Sequence, residues 1–126
     1  MRNVISFIFL MALSFAGTSQ IQSFEVIQTD TINRIDIRNQ KQGKWVIHGY
    51  NRATKKLICT NSNQIVEEGL YINNRKSGIW IEYYCNSKKR SELTYVNGVL
   101  EGKAIFYSSD GKIIKEGKFK GNKWAN

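Results

Sequence analysis

One histidine, two cysteines and ten acidic residues among 126 leave little from which to build a reactive centre. His48 stands alone, so an imidazole-based metal site would need carboxylate or thiolate partners. Cys59 and Cys85 lack the short paired spacing of zinc motifs. None of the glycines falls in a phosphate-binding fingerprint. Outside the first 20 residues no long apolar stretch has a helical period, so helix is expected to be scarce. These absences argue against an enzyme: no catalytic residue, metal or cofactor is expected.

What is present is repetition. Glu68, Glu92 and Glu116 recur every 24 residues, as do Tyr71, Tyr95 and Phe119, and the same interval relates Gly78 to Gly102, Ile81 to Ile105 and Tyr83 to Tyr107. A fixed period in this range marks stacked supersecondary units. Each unit reads as a hairpin. Two aromatic and β-branched runs flank the four residues 86–89, and Asn97-Gly98 then turns the chain, both residues tolerating the positive φ of a type I′ turn. The first copy is 11 residues longer, because Trp45 and Trp80 are 35 apart, and the insertion is placed at about residues 50–64.

The expected fold is all-β, an antiparallel meander of stacked hairpins. Strand alternation groups Ile81, Tyr83, Ile105 and Tyr107 with Leu93, Tyr95, Ile113 and Phe119 on one apolar face. The other face is expected to be mixed and partly wet, carrying Trp80, Glu82, Tyr84 and Phe106 with the three recurring glutamates. A glutamate that repeats in every unit is expected to answer lysines on neighbouring strands rather than to do acid–base chemistry.

These residues resemble the bacterial variant of the MORN repeat family, whose unit reads roughly Gly-x-Trp-x-x-Tyr, a turn, then Glu-x-x-Tyr-x-Asn-Gly. The resemblance covers about residues 37–124. It rests on Gly43-Lys-Trp45, Glu68-Gly-Leu-Tyr71-Ile-Asn73-Asn74, Gly78-Ile-Trp80-Ile-Glu-Tyr83, Glu92-Leu-Thr-Tyr95-Val-Asn97-Gly98 with Gly102, and Glu116-Gly-Lys-Phe119 with Gly121. The chain departs from the pattern at Ala104, where tryptophan is expected, at Asn74 in place of the turn glycine, and in the insertion. The resemblance implies an elongated MORN-like twisted sheet that binds or scaffolds, and it carries an antitoxin-like label.

At the amino terminus Arg2 precedes an apolar run from Val4 to Ala16, followed by the small residues of Gly17-Thr-Ser19. This reads as a cleaved signal peptide over residues 1–19, the run being shorter than the roughly 18 apolar residues of a spanning helix. Residues 20–36 read as a leader or edge segment, and 37–126 as the repeat domain. An exported, periplasmic or secreted chain would sit in an oxidising compartment, where Cys59 and Cys85 either form a disulfide or remain two buried apolar side chains.

Nineteen Lys and Arg against ten acids give a net charge of +9. The cations gather near turns, as in Lys88, Lys89 and Arg90, either to keep turns soluble or to form a stripe for anionic lipid or acidic partners. Nucleic acid is not expected, given the export signal and the fixed repeat positions of the tyrosines. Trp80, Tyr84 and Phe106, with Trp45 extending the surface, are the candidate binding aromatics, weighed against a core role. The sequence therefore points to an exported non-catalytic module that binds a protein or envelope component. The alternatives are a toxin-neutralising immunity protein and an anionic membrane-surface module.

Overall fold

Alternating apolar residues and paired turn residues give a chain that can bury surface only by laying hairpin against hairpin. The computed structural model describes residues 5–7, 21–27, 30–51 and 54–125. Its strands are β1 (Ile5–Phe7), β2 (Ile21–Ile27), β3 (Asp30–Asp36), β4 (Lys41–His48), β5 (Tyr50–Asn51), β6 (Lys56–Leu57), β7 (Ile65–Ile72), β8 (Arg75–Tyr83), β9 (Lys89–Val96), β10 (Val99–Tyr107), β11 (Ile113–Lys120) and β12 (Lys123–Ala125). Apart from the small β5–β6 ribbon, the strands form one sheet in the order of the chain. From β3 onward this is an open antiparallel meander, with no helix among the described residues. The expected signal segment, residues 1–19, lies outside the described residues except for β1. Residues 20–36, expected as a leader or edge segment, contribute the β2–β3 hairpin.

The turns keep the 24-residue interval. Asn73 and Asn74 (φ 48° and 65°), Asn97 and Gly98 (52° and 83°), and Gly121 and Asn122 (56° and 64°) all adopt the left-handed pair of a type I′ turn. Asn74 thus does the work of the missing glycine, since asparagine tolerates this region nearly as well. Gly43, Gly78 and Gly102 also recur with positive φ, and the ladder slips beside Gly78 and Gly102. Each turn leans on the preceding hairpin. The amides of Asn74, Gly98 and Asn122 donate to the carbonyls of Lys41, Lys76 and Leu100 at 3.1, 2.9 and 3.0 Å, three equivalent positions.

Register corrects the expected faces. Trp80 lies opposite Leu93, Gly78 opposite Tyr95, and Gly102 opposite Phe119, so these aromatic and aliphatic positions share the face of Trp80 and Phe106. Glu68 and Glu92 lie opposite Ile81, and Glu116 opposite Ile105, which puts the glutamates on the face of Tyr83 and Tyr107. Parity along one strand does not carry across a connection whose register slips, as it does between Glu82 and Tyr83.

The core of this single layer is an aromatic row on the Trp80 face. Trp80 is 1% exposed and Ala104 is fully buried. Gly69 admits the indole: a Cβ there would sit 2.3 Å from Trp80 Cδ2, and one at Gly117 would sit 2.4 Å from Trp124 Cζ2. The equivalent position between them is Leu93, and its partner on β10 is Ala104 rather than tryptophan. Where the large side chain moves to one strand, the neighbour shrinks.

Candidate functional site

The aromatic row begins with Trp45 edge-on to Tyr71, centroids 5.6 Å apart, and continues with Tyr71 against Trp80 at 4.9 Å. At the other end Trp124 meets Phe119 at 5.1 Å and Phe106 at 6.2 Å. Lysines close the row from above. Lys41 Nζ lies 4.8 Å from the Trp45 ring, Lys76 Nζ 4.2 Å from Trp80, and Lys115 Nζ 3.9 Å from Trp124. Such contacts contribute about 0.5–2 kcal/mol each. They also occupy the ring faces that a stacked ligand would use.

Lys76 is held in place by Glu67, with which it forms a half-buried ion pair. Burial opposes the lysine charge, but the hydrogen bond and attraction of Glu67 outweigh it, and the pKa is raised. Trp80 Nε1 donates to the Leu70 carbonyl at 3.0 Å. The buried Nε1 of Trp45, one unit earlier, has no acceptor among the described residues.

Of the expected binding residues, Trp80 is therefore core, not an exposed anchor, because Gly69 leaves a slot that the indole fills. Tyr84 is half-buried and donates its hydroxyl to the Tyr107 carbonyl at 2.8 Å, tying two equivalent connections together. Phe106 and Trp45 are half-buried in the aromatic row. Lys88, Lys89 and Arg90 are exposed, but each answers a neighbour: Lys88 Nζ donates to the Asp110 carbonyl, Lys89 pairs with Glu92 at 2.9 Å, and Arg90 approaches Glu82 at 4.0 Å. Surface pairs of this kind contribute little to stability. The predicted binding set is thus not assembled into one surface.

On the opposite face the recurring glutamates meet tyrosines. Tyr83 donates to Glu68 and Tyr107 to Glu92, each at 2.6 Å, while Glu116 meets Lys103 at 2.9 Å. Only the last matches the expected lysine partnership outright; Glu92 adds Lys89 to its tyrosine. Burial, then the bond to Glu68, pushes the Tyr83 hydroxyl up to about 12. Tyr107 rises to about 12 chiefly through its bond to Glu92. Glu92 is lowered by the Tyr107 bond and then by Lys89. In the Tyr107–Glu92 pair the two shifts lead in opposite directions away from pH 7, which makes that pair a poor proton donor or acceptor there.

Cys59 and Cys85 are joined, with sulfurs 2.04 Å and Cα atoms 5.5 Å apart. The bridge ties the inserted segment to the β8–β9 connection, and a hydrogen bond from Ser87 Oγ to Gln64 Oε1 at 2.8 Å supports it. His48 ends β4 opposite Ile65, in the place that Tyr83 holds one unit later. Among the described residues no three of His, Cys, Asp and Glu converge as a metal-binding group.

Sequence reading missed one group altogether. Leu70, Ile72, Ile79, Val96 and Val99 are all exposed, by 42, 51, 59, 56 and 36%, and all lie on the tyrosine–glutamate face. The available signal was a difference between units rather than a resemblance. At the equivalent positions the carboxy-terminal units carry Lys103, Lys118, Lys120 and Lys123, and the first unit carries Lys44 in place of Ile79. No family model, no curated protein and no solved structure matches this chain.

Proposed function

We propose that this chain is an exported, non-catalytic repeat module that binds a protein of the cell envelope. The observation that carries the reading is an open single-layer sheet whose acidic side chains are engaged by hydrogen bonds or ion pairs, while among the described residues eleven large apolar side chains stay exposed. Exposed apolar surface on that scale serves association better than chemistry. The resemblance to bacterial MORN repeats supports binding or scaffolding, and the Cys59–Cys85 bridge accords with an oxidising compartment. Neutralisation of a toxin outside the cytoplasm is the specific form that the family's antitoxin-like label suggests.

The test is a pull-down from solubilised native envelope with the immobilised full chain, washed at low and then at high salt. One protein retained in stoichiometric amount at high salt is the expected result. Recovery of nothing, or of material released uniformly by salt, overturns the reading in favour of nonspecific attraction to a cationic surface.

A further inference from the structure

The exposed aliphatic side chains are not scattered. Leu70 and Ile72 on β7, Ile79 on β8, Val96 on β9 and Val99 on β10 occupy one face of four adjacent strands, and Val96 and Val99 are direct cross-strand partners. Four strands span about 14 Å at the usual inter-strand spacing. Within that span Ser77, Thr94 and Arg75 interrupt the apolar surface near the turns, and Lys103 borders it on β10.

Comparison between units shows that the fold does not require these residues to be apolar. Ile79 corresponds to Lys44 and Lys103, Leu70 to Lys118, Val96 and Ile72 to Lys120, and Val99 to Lys123. All five lysines are exposed, and they flank the patch on β4 at one side and on β10, β11 and β12 at the other. The nearby acids are engaged: Glu101 accepts the Gly121 amide at 2.7 Å, Glu116 holds Lys103, and Glu68 and Glu92 hold their tyrosines. Lys44, Lys118 and Lys120 are in no ion pair among the described residues.

Resting on the binding-module reading above, we propose that this patch is the docking surface. Its partner is a protein that presents an aliphatic strip bordered by carboxylates. An apolar centre with a charged rim is the anatomy of a specific interface, and the rim sign selects an acidic partner. A second copy of this chain would set lysine rims against each other. Bilayer surfaces are met preferentially by aromatic side chains at the headgroup level, whereas this patch has none and the tryptophans lie on the other face.

The test compares the full chain with the double variant Ile79→Lys/Val96→Lys, which writes into the central units the residues the flanking units already carry. The expected result is an unchanged melting curve and a loss of about tenfold or more in retention of the envelope protein that the native chain captures. That protein, identified by mass spectrometry, is expected to be acidic, and Lys44→Glu with Lys118→Glu is expected to weaken the same complex. Equal capture by the double variant overturns the patch assignment while the binding-module reading stands; no capture by the native chain removes both. A marked fall in melting temperature shows the aliphatics to be core and overturns the proposal, and Leu70→Lys repeats that check. Patch-dependent sedimentation with vesicles of phosphatidylcholine and phosphatidylglycerol, or patch-dependent dimers of the chain alone, would assign the surface to lipid or to self-association.

Discussion

Replacing Gly69 by alanine tests the account of the core. Glycine within a strand ordinarily costs about 0.5–1 kcal/mol relative to alanine, so an unhindered site would gain by that amount. Here the new methyl would meet Trp80 Cδ2, Cε2 and Cγ at 2.3, 2.4 and 2.6 Å. The ring must move by an ångström or more, which strains a buried side chain and stretches the 3.0 Å bond from Nε1 to the Leu70 carbonyl. Overpacking costs about 1–3 kcal/mol and the weakened bond about 1 kcal/mol, giving a net loss near 2 kcal/mol after the backbone gain. For a domain of this size that lowers Tm by about 8–16 °C, read by circular dichroism. Trp80→Ala alone is expected to cost about 3–5 kcal/mol. Gly69→Leu combined with Trp80→Ala, which copies the Leu93–Ala104 arrangement of the next unit, is expected to recover part of that loss. A Gly69→Ala protein melting within about 2 °C of the native chain, or a double variant no better than Trp80→Ala, refutes the reasoning.

Alkaline stability follows from the tyrosine–glutamate pairs. A free tyrosine titrates near about 10, and Tyr83 and Tyr107 are pushed up to about 12. With the folded value above the unfolded one, their stabilisation is fully present below about pH 10 and is lost as pH rises through about 12. Tm should hold to about pH 9 and then fall, and Tyr83→Phe/Tyr107→Phe should flatten that limb; an identical fall in the variant refutes the assignment. Glu92 works in the other sense, its lowered pKa giving stability that is lost as pH falls through the folded value. The Cys59–Cys85 bridge closes a segment 26 residues long. Replacing both cysteines by serine is expected to cost about 3 kcal/mol in urea unfolding, and no shift of the midpoint would show that the bridge constrains nothing.

The hairpins were legible because their turns are specified locally. Asn97-Gly98 has only to tolerate two positive φ angles, and the observed values are 52° and 83°. The faces were not legible, because they depend on register across connections, and a slip beside Gly78 or Gly102 leaves no trace in the alternation of one strand. Trp80 illustrates the result. Its size marked it as important, but only the slot above Gly69 reveals that it packs inward. The bridge between Cys59 and Cys85 stayed open for a similar reason, since it needs the insertion to fold back on the β8–β9 connection. Val96 and Ile79 looked like ordinary strand residues, and their exposure is a property of the assembled sheet.

The hydrogen bonds from each turn to the hairpin before it turn the sheet into a zip, in which every closure rests on the one already made. Opening that starts at β12 runs back through β11, β10 and β9, detaching one hairpin at a time at a cost set by its neighbour alone. At Cys85 the zip meets a covalent stop, because the bridge to Cys59 holds the β8–β9 connection against the inserted segment. The strands therefore differ in kind: β7 and β8 lie within a covalently closed loop, and β9 to β12 are held only by contact.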